Sequence, residues 1–302
     1  MTRSPAPSDW FLLALLIAAW GSSFAMSKHA LATFDAGWIM ALRLAVAAAV
    51  LVPYAYASGQ SLSASGASWM KFTWLGFIGN AFPFLIITWG MHFITSGVAG
   101  LLMGAIPLFV VVLAHFTIEG ERLTRPKTIG FILGFSGIVV LIGPEAIFTL
   151  SMTGKELIGE LTVIFGCLCY AVHGVSAKRL GVDHPVKQSA AVCLTGAVMG
   201  LAYAVVTRPH GLAGIPFESY WSVIGLGVLP TAFATVLVYR LMARTGPSFV
   251  SISNYLVPVF ALAMGAALLG EQLGWNILAA LLLILAGIAI SRIAPSRERA
   301  SP

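Results

Sequence analysis

The sequence predicts an all-α, polytopic membrane protein with ten transmembrane helices, arranged as two inverted five-helix repeats. Composition is the first observation: 59% of the 302 residues are hydrophobic and 9% are charged, whereas soluble domains carry roughly 25% charged residues. The second is an internal repeat. Gly120-Glu121 and Gly137-Ile138 return as Gly270-Glu271 and Gly287-Ile288, at an offset of 150 residues. A period this long indicates a duplicated unit.

Apolar runs of membrane-spanning length supply the helix count. A spanning helix needs about 20 mostly apolar residues, and these runs lack the alternation of barrel strands. The ten runs lie at about residues 9–28, 36–57, 69–90, 94–117, 126–143, 157–177, 188–207, 219–242, 248–269 and 274–293. We expect residues 1–147 and 148–302 to form the two repeats, with five spans each.

The distribution of positive charge predicts the orientation. With the N-terminus inside, the inner segments hold thirteen Lys and Arg and the outer segments hold three, while Arg43 lies within a span. Cytoplasmic segments collect such residues, so both termini are expected in the cytoplasm. An odd number of spans per repeat inverts the second repeat, which is typical of secondary transporters. The net charge of +6 follows from these loops, and no nucleic-acid partner is expected.

Spans of the first half carry several polar and aromatic groups. Asp9 is the expected N-cap of span 1, which also holds Trp20. Span 2 holds Arg43, which either reaches for the interface and nearby helix ends or binds a substrate carboxylate. In span 3 a four-residue spacing places three side chains on one helical face. These are Asn80, Phe84 and Thr88.

Spans of the second half repeat this character. Tyr170 and His173 lie three residues apart in span 6, Thr235 lies in span 8, and Asn254 and Tyr255 lie in span 9. Spans 5 and 10 are nearly free of such groups, and we expect them to pack outside the site. Small residues spaced as GxxxG indicate close helix contacts. Such pairs are Gly100 with Gly104, Gly130 with Gly134, and Gly196 with Gly200.

Two prolines give the strongest indication of a site. Pro107 and Pro258 occupy matching places in spans 4 and 9. Proline removes a helix hydrogen bond, which frees carbonyl groups near Met103 and Asn254. Matched interrupted helices in two repeats point to a transport site, although a proline can also bend a helix for packing alone.

These patterns together predict the residues of a substrate site around the two prolines. For each residue, the alternative is a buried helix contact with a satisfied polar group. The predicted substrate-binding residues are Trp20, Asn80, Phe84, Thr88, Met103, Tyr170, His173, Thr235, Asn254 and Tyr255, with Pro107 and Pro258 as kinks.

Catalytic and metal-binding patterns are missing from the sequence. It contains no HExxH, GxSxG, CxxC or P-loop motif, so we expect no enzyme, no metal and no cofactor. All eleven Asp and Glu fall in loops, tails or span ends. Proton-driven cation pumps usually keep a carboxylate within the membrane. The sequence therefore disfavours organic cations as cargo and favours facilitated transport.

Several of these motifs occur together in a known family. The segment Trp20 to Phe24 with Lys28, the segment Ala41 to Arg43, and the two Gly-Glu copies with their prolines resemble the drug/metabolite transporter superfamily, in its EamA-type ten-helix members. The resemblance covers residues 9–293. It implies a central cavity lined by spans 1, 3, 4, 6, 8 and 9, and a structural role for the Gly-Glu pairs.

Within that family, the sequence is similar to bacterial amino-acid exporters. Exporters of aromatic amino acids can carry a Trp just before the span 4 proline, where this sequence has Ile106, which favours a broad range. We expect a bacterial inner-membrane exporter of neutral and aromatic amino acids that works by alternating access. Its expected partners are the substrate and the lipid bilayer, and it is expected to be a monomer. The alternative is a multidrug or metabolite exporter for neutral apolar compounds.

Two further alternatives predict different features. A nucleotide-sugar or sugar-phosphate exchanger would need several basic residues in the cavity, where only Arg43 and Lys28 come near. A membrane scaffold would bind and move nothing, and would have no need of polar residues beside matched prolines.

Overall fold

The computed structural model describes residues 5–118, 123–142, 154–181, 184–208 and 210–291. Across these ranges the chain forms helices and connecting turns, with no strand. The predicted all-helical class is confirmed. The first Gly-Glu pair, Gly120-Glu121, and both chain ends lie outside the described residues.

Helices of the first half follow the predicted runs closely. Their bounds are α1 (Pro7–Ala30), α2 (Ala36–Ala57), α3 (Gly66–Gly76), α4 (Phe82–Gly90), α5 (Ser96–Leu102), α6 (Ile106–Thr117) and α7 (Arg125–Ile142). A π-helical turn, Phe77–Ala81, joins α3 to α4, and a 3₁₀ turn, Met103–Ala105, joins α5 to α6.

Helices of the second half repeat this order. Their bounds are α8 (Lys155–Leu180), α9 (Pro185–Thr207), α10 (Tyr220–Gly227), α11 (Ala234–Thr245), α12 (Pro247–Val250), α13 (Ser253–Leu269) and α14 (Trp275–Ser291). A second π-helical turn, Val228–Phe233, joins α10 to α11.

Seven described helical stretches are long and apolar enough to cross a membrane, and α13 and α14 are shorter apolar helices. Large apolar side chains face outward from the bundle, including Phe116, Val206 and Trp275 at 76%, 81% and 78% exposure. Such exposure suits contact with lipid, where apolar side chains need no cover. The count of ten spans, their inverted repetition and the side of the termini stay predictions.

The GxxxG pairs lie where helices meet closely. A Cβ on Gly100 would collide with Ala261 of α13. A Cβ on Gly130 would meet the Gly287 carbonyl of α14, and one on Gly134 would meet Leu108 of α6. The pair in α9, Gly196 and Gly200, faces α2 in the same way. The predicted close contacts are confirmed for these pairs. The helices α7 and α14 pack against each other along their length.

The start of α1 differs from the expectation. Ala6 is the N-cap and Pro7 begins the helix, while Asp9 lies in the first turn and accepts a hydrogen bond from the Ala6 N–H at 2.9 Å. Proline suits the first helical position because that position needs no N–H donor. The prediction of Asp9 as N-cap is therefore wrong by one turn.

The two prolines act differently. Pro107 follows the 3₁₀ turn and lies in the first turn of α6, so span 4 is interrupted where the sequence predicts. Pro258 lies inside the continuous helix α13, and the break in that span comes earlier, at residues 251–252 between α12 and α13. The interruptions of spans 4 and 9 therefore do not coincide in the way that the sequence predicted. Helix α13 continues through Pro258 without a break.

A central cavity between the two halves

A cavity of about 490 Å³ opens between the two halves of the bundle. Nine of the ten predicted substrate-binding residues line it, as does Pro258. They are Trp20, Asn80, Phe84, Thr88, Met103, Tyr170, His173, Thr235 and Asn254.

Tyr255 and Pro107 lie outside the lining. The Tyr255 hydroxyl donates to the Ile288 carbonyl oxygen of α14 at 3.3 Å, so this side chain faces the peripheral helix. Helix α13 begins only at Ser253. The sequence prediction placed the adjacent residues Asn254 and Tyr255 at the site together, but one residue of helix rotates a side chain by about 100°. Ile106 and Val257 do line the cavity.

Two helices that were not expected to line the cavity also contribute to its wall. The resemblance implied spans 1, 3, 4, 6, 8 and 9, and the structure adds α2, through Arg43, and α9, through Gln188, Ser189 and Cys193. Cys193 accepts a hydrogen bond from the Asn80 amide at 3.6 Å. Ser189 and Cys193 lie four residues apart and so share one face of α9, and this spacing is the sequence signal that could have identified them.

The π-helical turns place polar groups at the cavity wall. A π turn leaves the regular bonding pattern and is frequent at functional sites. Both turns lie within a repeated segment, since Leu75-Gly76 to Phe82 matches Leu226-Gly227 to Phe233 at an offset of 151 residues. The repeat relates the two turns to each other. Asn80 lies on the first turn and Thr231 on the second.

His173 is fixed against the first π turn. Its Nδ1 lies 3.2 Å from the Leu75 carbonyl oxygen. A carbonyl only accepts, so Nδ1 carries the proton and, in the neutral ring, Nε2 is left as an acceptor. A Cβ on Gly79 would overlap the imidazole ring. The glycine is thus required for this close approach.

Arg43 is buried, with 9% of its surface exposed. Its Nε donates to the Thr231 hydroxyl oxygen at 2.8 Å, and its guanidinium carbon lies 3.9 Å from the centre of the Phe84 ring. It does not extend to the edge of the bundle. No other Lys or Arg lines the cavity in the part of the chain that the structure describes.

Lys28 does not line the cavity and instead binds backbone carbonyls. Its ammonium donates to the carbonyl oxygens of Met91 and Ile94, the latter at 3.0 Å. We call the end of the bundle with Lys28, Ser96 and Glu271 the Lys28 end, and the opposite end, with Asp9 and Arg244, the Asp9 end. Asp9 and Arg244 form an ion pair there at 3.6 Å.

None of the carboxylates in the described ranges lines the cavity. Six Asp and Glu fall within these ranges. Among the same residues, no cluster of three His, Cys, Asp or Glu could hold a metal ion. The cavity wall therefore combines aromatic and Met surface, amides, hydroxyls, one imidazole and one guanidinium.

Comparison with known proteins gives a consistent assignment. The EamA-like transporter family matches residues 9–143 and 157–293. An uncharacterized transporter of Bacillus subtilis, YoaV, is 31% identical over 74% of each chain. A Streptantibioticus cattleyicolor protein named as a probable terminal-alkyne amino-acid exporter is 26% identical, over 86% of this chain and 84% of its own. One crystal structure aligns with 94% of this chain and 97% of its own, with a TM-score of 0.67 at 20% identity, and this shows the fold alone.

Proposed function

This chain belongs to the EamA-like transporter family of membrane transporters, and from that premise we propose that it exports neutral amino acids through the central cavity. The central cavity itself carries the proposal. Its volume of about 490 Å³ falls in the range of about 300–1,000 Å³ that is usual for small-molecule sites. Both halves of the chain contribute to its wall.

The chemistry of the wall suits a zwitterion with a variable side chain. Trp20, Phe84 and Met103 offer apolar and aromatic surface, and Met in particular adapts to varied shapes. Asn80 and Tyr170 offer hydrogen-bonding groups beside that surface. The name of the Streptantibioticus relative adds support for an amino acid as cargo.

Alternating access is the proposed mechanism. At the Lys28 end, α5 packs closely on α13, where a Cβ on Gly97 would meet Leu262 at 3.0 Å. By the Lys and Arg distribution, this end faces outward and the Asp9 end faces the cytoplasm. We infer that this close packing closes the cavity on the outer side. Export requires α5 and α13 to separate after the cytoplasmic end closes.

The test is flux in proteoliposomes that contain the purified protein. We would follow radiolabelled Phe, Thr, Met, Lys and Glu separately, with and without a pH gradient. Saturable flux of the neutral amino acids alone is the expected result. Selective flux of Lys or Glu would contradict the proposal.

A second function shares the same wall. The aromatic and Met surface favours export of neutral apolar compounds as well. In that case a neutral apolar compound would be transported and no amino acid would compete with it. Mutual competition would indicate one broad site.

A further inference from the structure

We propose that Arg43 binds the carboxylate of the cargo, so that the carboxylate is required for binding and the amino group is dispensable. This inference rests on the proposed function, because it concerns recognition in the same cavity. It extends the substrate class to monocarboxylates that have no amino group.

The position of Arg43 follows from the second π turn. Pro230 has no N–H to offer the Leu226 carbonyl one turn before it. The Thr231 hydroxyl donates to that carbonyl oxygen instead, at 2.8 Å. The same hydroxyl oxygen accepts from Arg43 Nε at 2.8 Å. A proline in α10–α11 thereby fixes an arginine in α2.

Phe84 completes this arrangement from the other side. Its ring lies 3.9 Å from the guanidinium carbon, at the distance of a cation–π contact. With Nε held by Thr231 and one face held by Phe84, the remaining edge of the guanidinium consists of Nη1 and Nη2. That edge has the spacing of the two oxygens of a carboxylate.

The donors on this edge are unused within the described part of the chain. A guanidinium has five N–H donors and stays charged in proteins. The structure gives Arg43 one hydrogen bond, from Nε. Four donors thus remain on a side chain that is 9% exposed and lines the cavity.

A counter-charge is also missing among the described acids. Asp9 pairs with Arg244, Asp35 accepts from the first N–H groups of α2, and Glu271 accepts from those of α5. Glu156 and Glu160 lie near the start of α8, and Glu218 is exposed. A buried charge is costly without a partner, and a carboxylate on the cargo would supply that partner.

The amino group of the cargo would meet a different environment. The acceptors available to an ammonium are neutral, such as the Tyr170 hydroxyl and the Asn80 amide oxygen. A neutral acceptor binds a cation more weakly than a carboxylate does. The single positive charge of Arg43 also repels a cargo that is cationic overall. Loss of the carboxylate should therefore cost more affinity than loss of the amino group.

Binding to the purified protein tests this with four related compounds. Displacement of radiolabelled phenylalanine would be measured with phenylalanine, 3-phenylpropanoate, phenylalaninamide and 2-phenylethylamine. For the wild type we expect 3-phenylpropanoate to compete within about tenfold of phenylalanine. The amide and the amine should compete at least tenfold more weakly than 3-phenylpropanoate. Equal competition by phenylalaninamide and phenylalanine would overturn the inference without any variant.

Two variants test the residue itself, by direct binding of each labelled carboxylate. Arg43→Gln should weaken phenylalanine and 3-phenylpropanoate binding at least tenfold, and Arg43→Lys should retain part of it. Arg179→Gln, at an exposed position of α8, is the matched control and should bind like the wild type. Melting temperature and size-exclusion profile would show that each variant is folded.

The outcomes separate this inference from the proposed function. Phenylalanine binding that survives in folded Arg43→Gln would leave amino-acid export standing and overturn the role of Arg43. If the wild type binds labelled 3-phenylpropanoate but not phenylalanine, and Arg43→Gln loses that binding, the role of Arg43 would be supported and amino acids would be refuted as cargo. No binding of either carboxylate to folded wild-type protein would refute both.

Discussion

The carboxylate of Glu271 accepts hydrogen bonds from the backbone N–H groups of Ser96 and Gly97, at 2.7 and 2.8 Å. It thus joins the link after α13 to the first turn of α5, across the two halves of the chain. Gly270 ends α13 with a φ of +65°, a conformation that favours glycine. The second Gly-Glu pair therefore stabilises a helix end in the other half.

Removing this carboxylate should destabilise the Lys28 end. Charge-assisted hydrogen bonds to a helix N-terminus contribute about 1–3 kcal/mol. We expect Glu271→Ala to lower the melting temperature of the detergent-solubilised protein by several degrees. Glu218→Ala, an exposed acid near the Lys28 end of the bundle, is the control and should melt like the wild type. An unchanged melting temperature in Glu271→Ala would show that the bonds contribute nothing.

The contact between Gly100 and Ala261 permits a compensation test. A Cβ on Gly100 would collide with the Ala261 side chain and come within 3.2 Å of Phe24, and overpacking costs about 1–3 kcal/mol. We expect Gly100→Ala to lower the melting temperature. The double variant Gly100→Ala with Ala261→Gly should recover part of the loss. Additive losses in the double variant would show that the two residues are not in contact.

His173 depends on the absence of a side chain at Gly79. We expect Gly79→Ala to displace the imidazole from the Leu75 carbonyl and to lower neutral amino-acid flux at least threefold. Gly174→Ala is the matched control, because nothing lies within 4 Å of a Cβ there. The control should keep wild-type flux. Equal flux in both variants would mean that the position of His173 is unimportant for transport.

Asn80 and Tyr255 separate the cavity wall from its surroundings. Asn80 lies on the wall, whereas the Tyr255 hydroxyl is directed at Ile288 of α14. Asn80→Ala should reduce flux at least fivefold because the cargo loses a polar partner. Tyr255→Phe should reduce flux less than twofold, with both proteins folded. The reverse order would place the site beside Tyr255 and α14 and not at the cavity.

Local sequence patterns predict much of this structure. Composition predicts the helical class, and the four-residue spacing of Asn80, Phe84 and Thr88 correctly places one face of span 3 at the cavity. That agreement concerns geometry, and their role in binding stays a prediction. Spacing succeeds here because side chains four apart share a face even beside a π turn.

Long-range contacts explain what the sequence missed. Arg43 is held by Thr231, 188 residues away, and no local pattern reports such a pair. Asn254, Val257 and Pro258 line the cavity from one face of α13, whereas the adjacent Tyr255 bonds to Ile288 of α14. The Asp9 ion pair with Arg244 likewise joins residues that are distant in the chain.

Exchange of radiolabelled phenylalanine in proteoliposomes tests the central claim most directly. The wild-type protein should give saturable exchange that unlabelled Thr and Met reduce, and that folded Asn80→Ala reduces at least fivefold. The rate should be the same with and without a pH gradient. No exchange by folded wild-type protein, or equal exchange in Asn80→Ala, would contradict neutral amino-acid transport through this cavity.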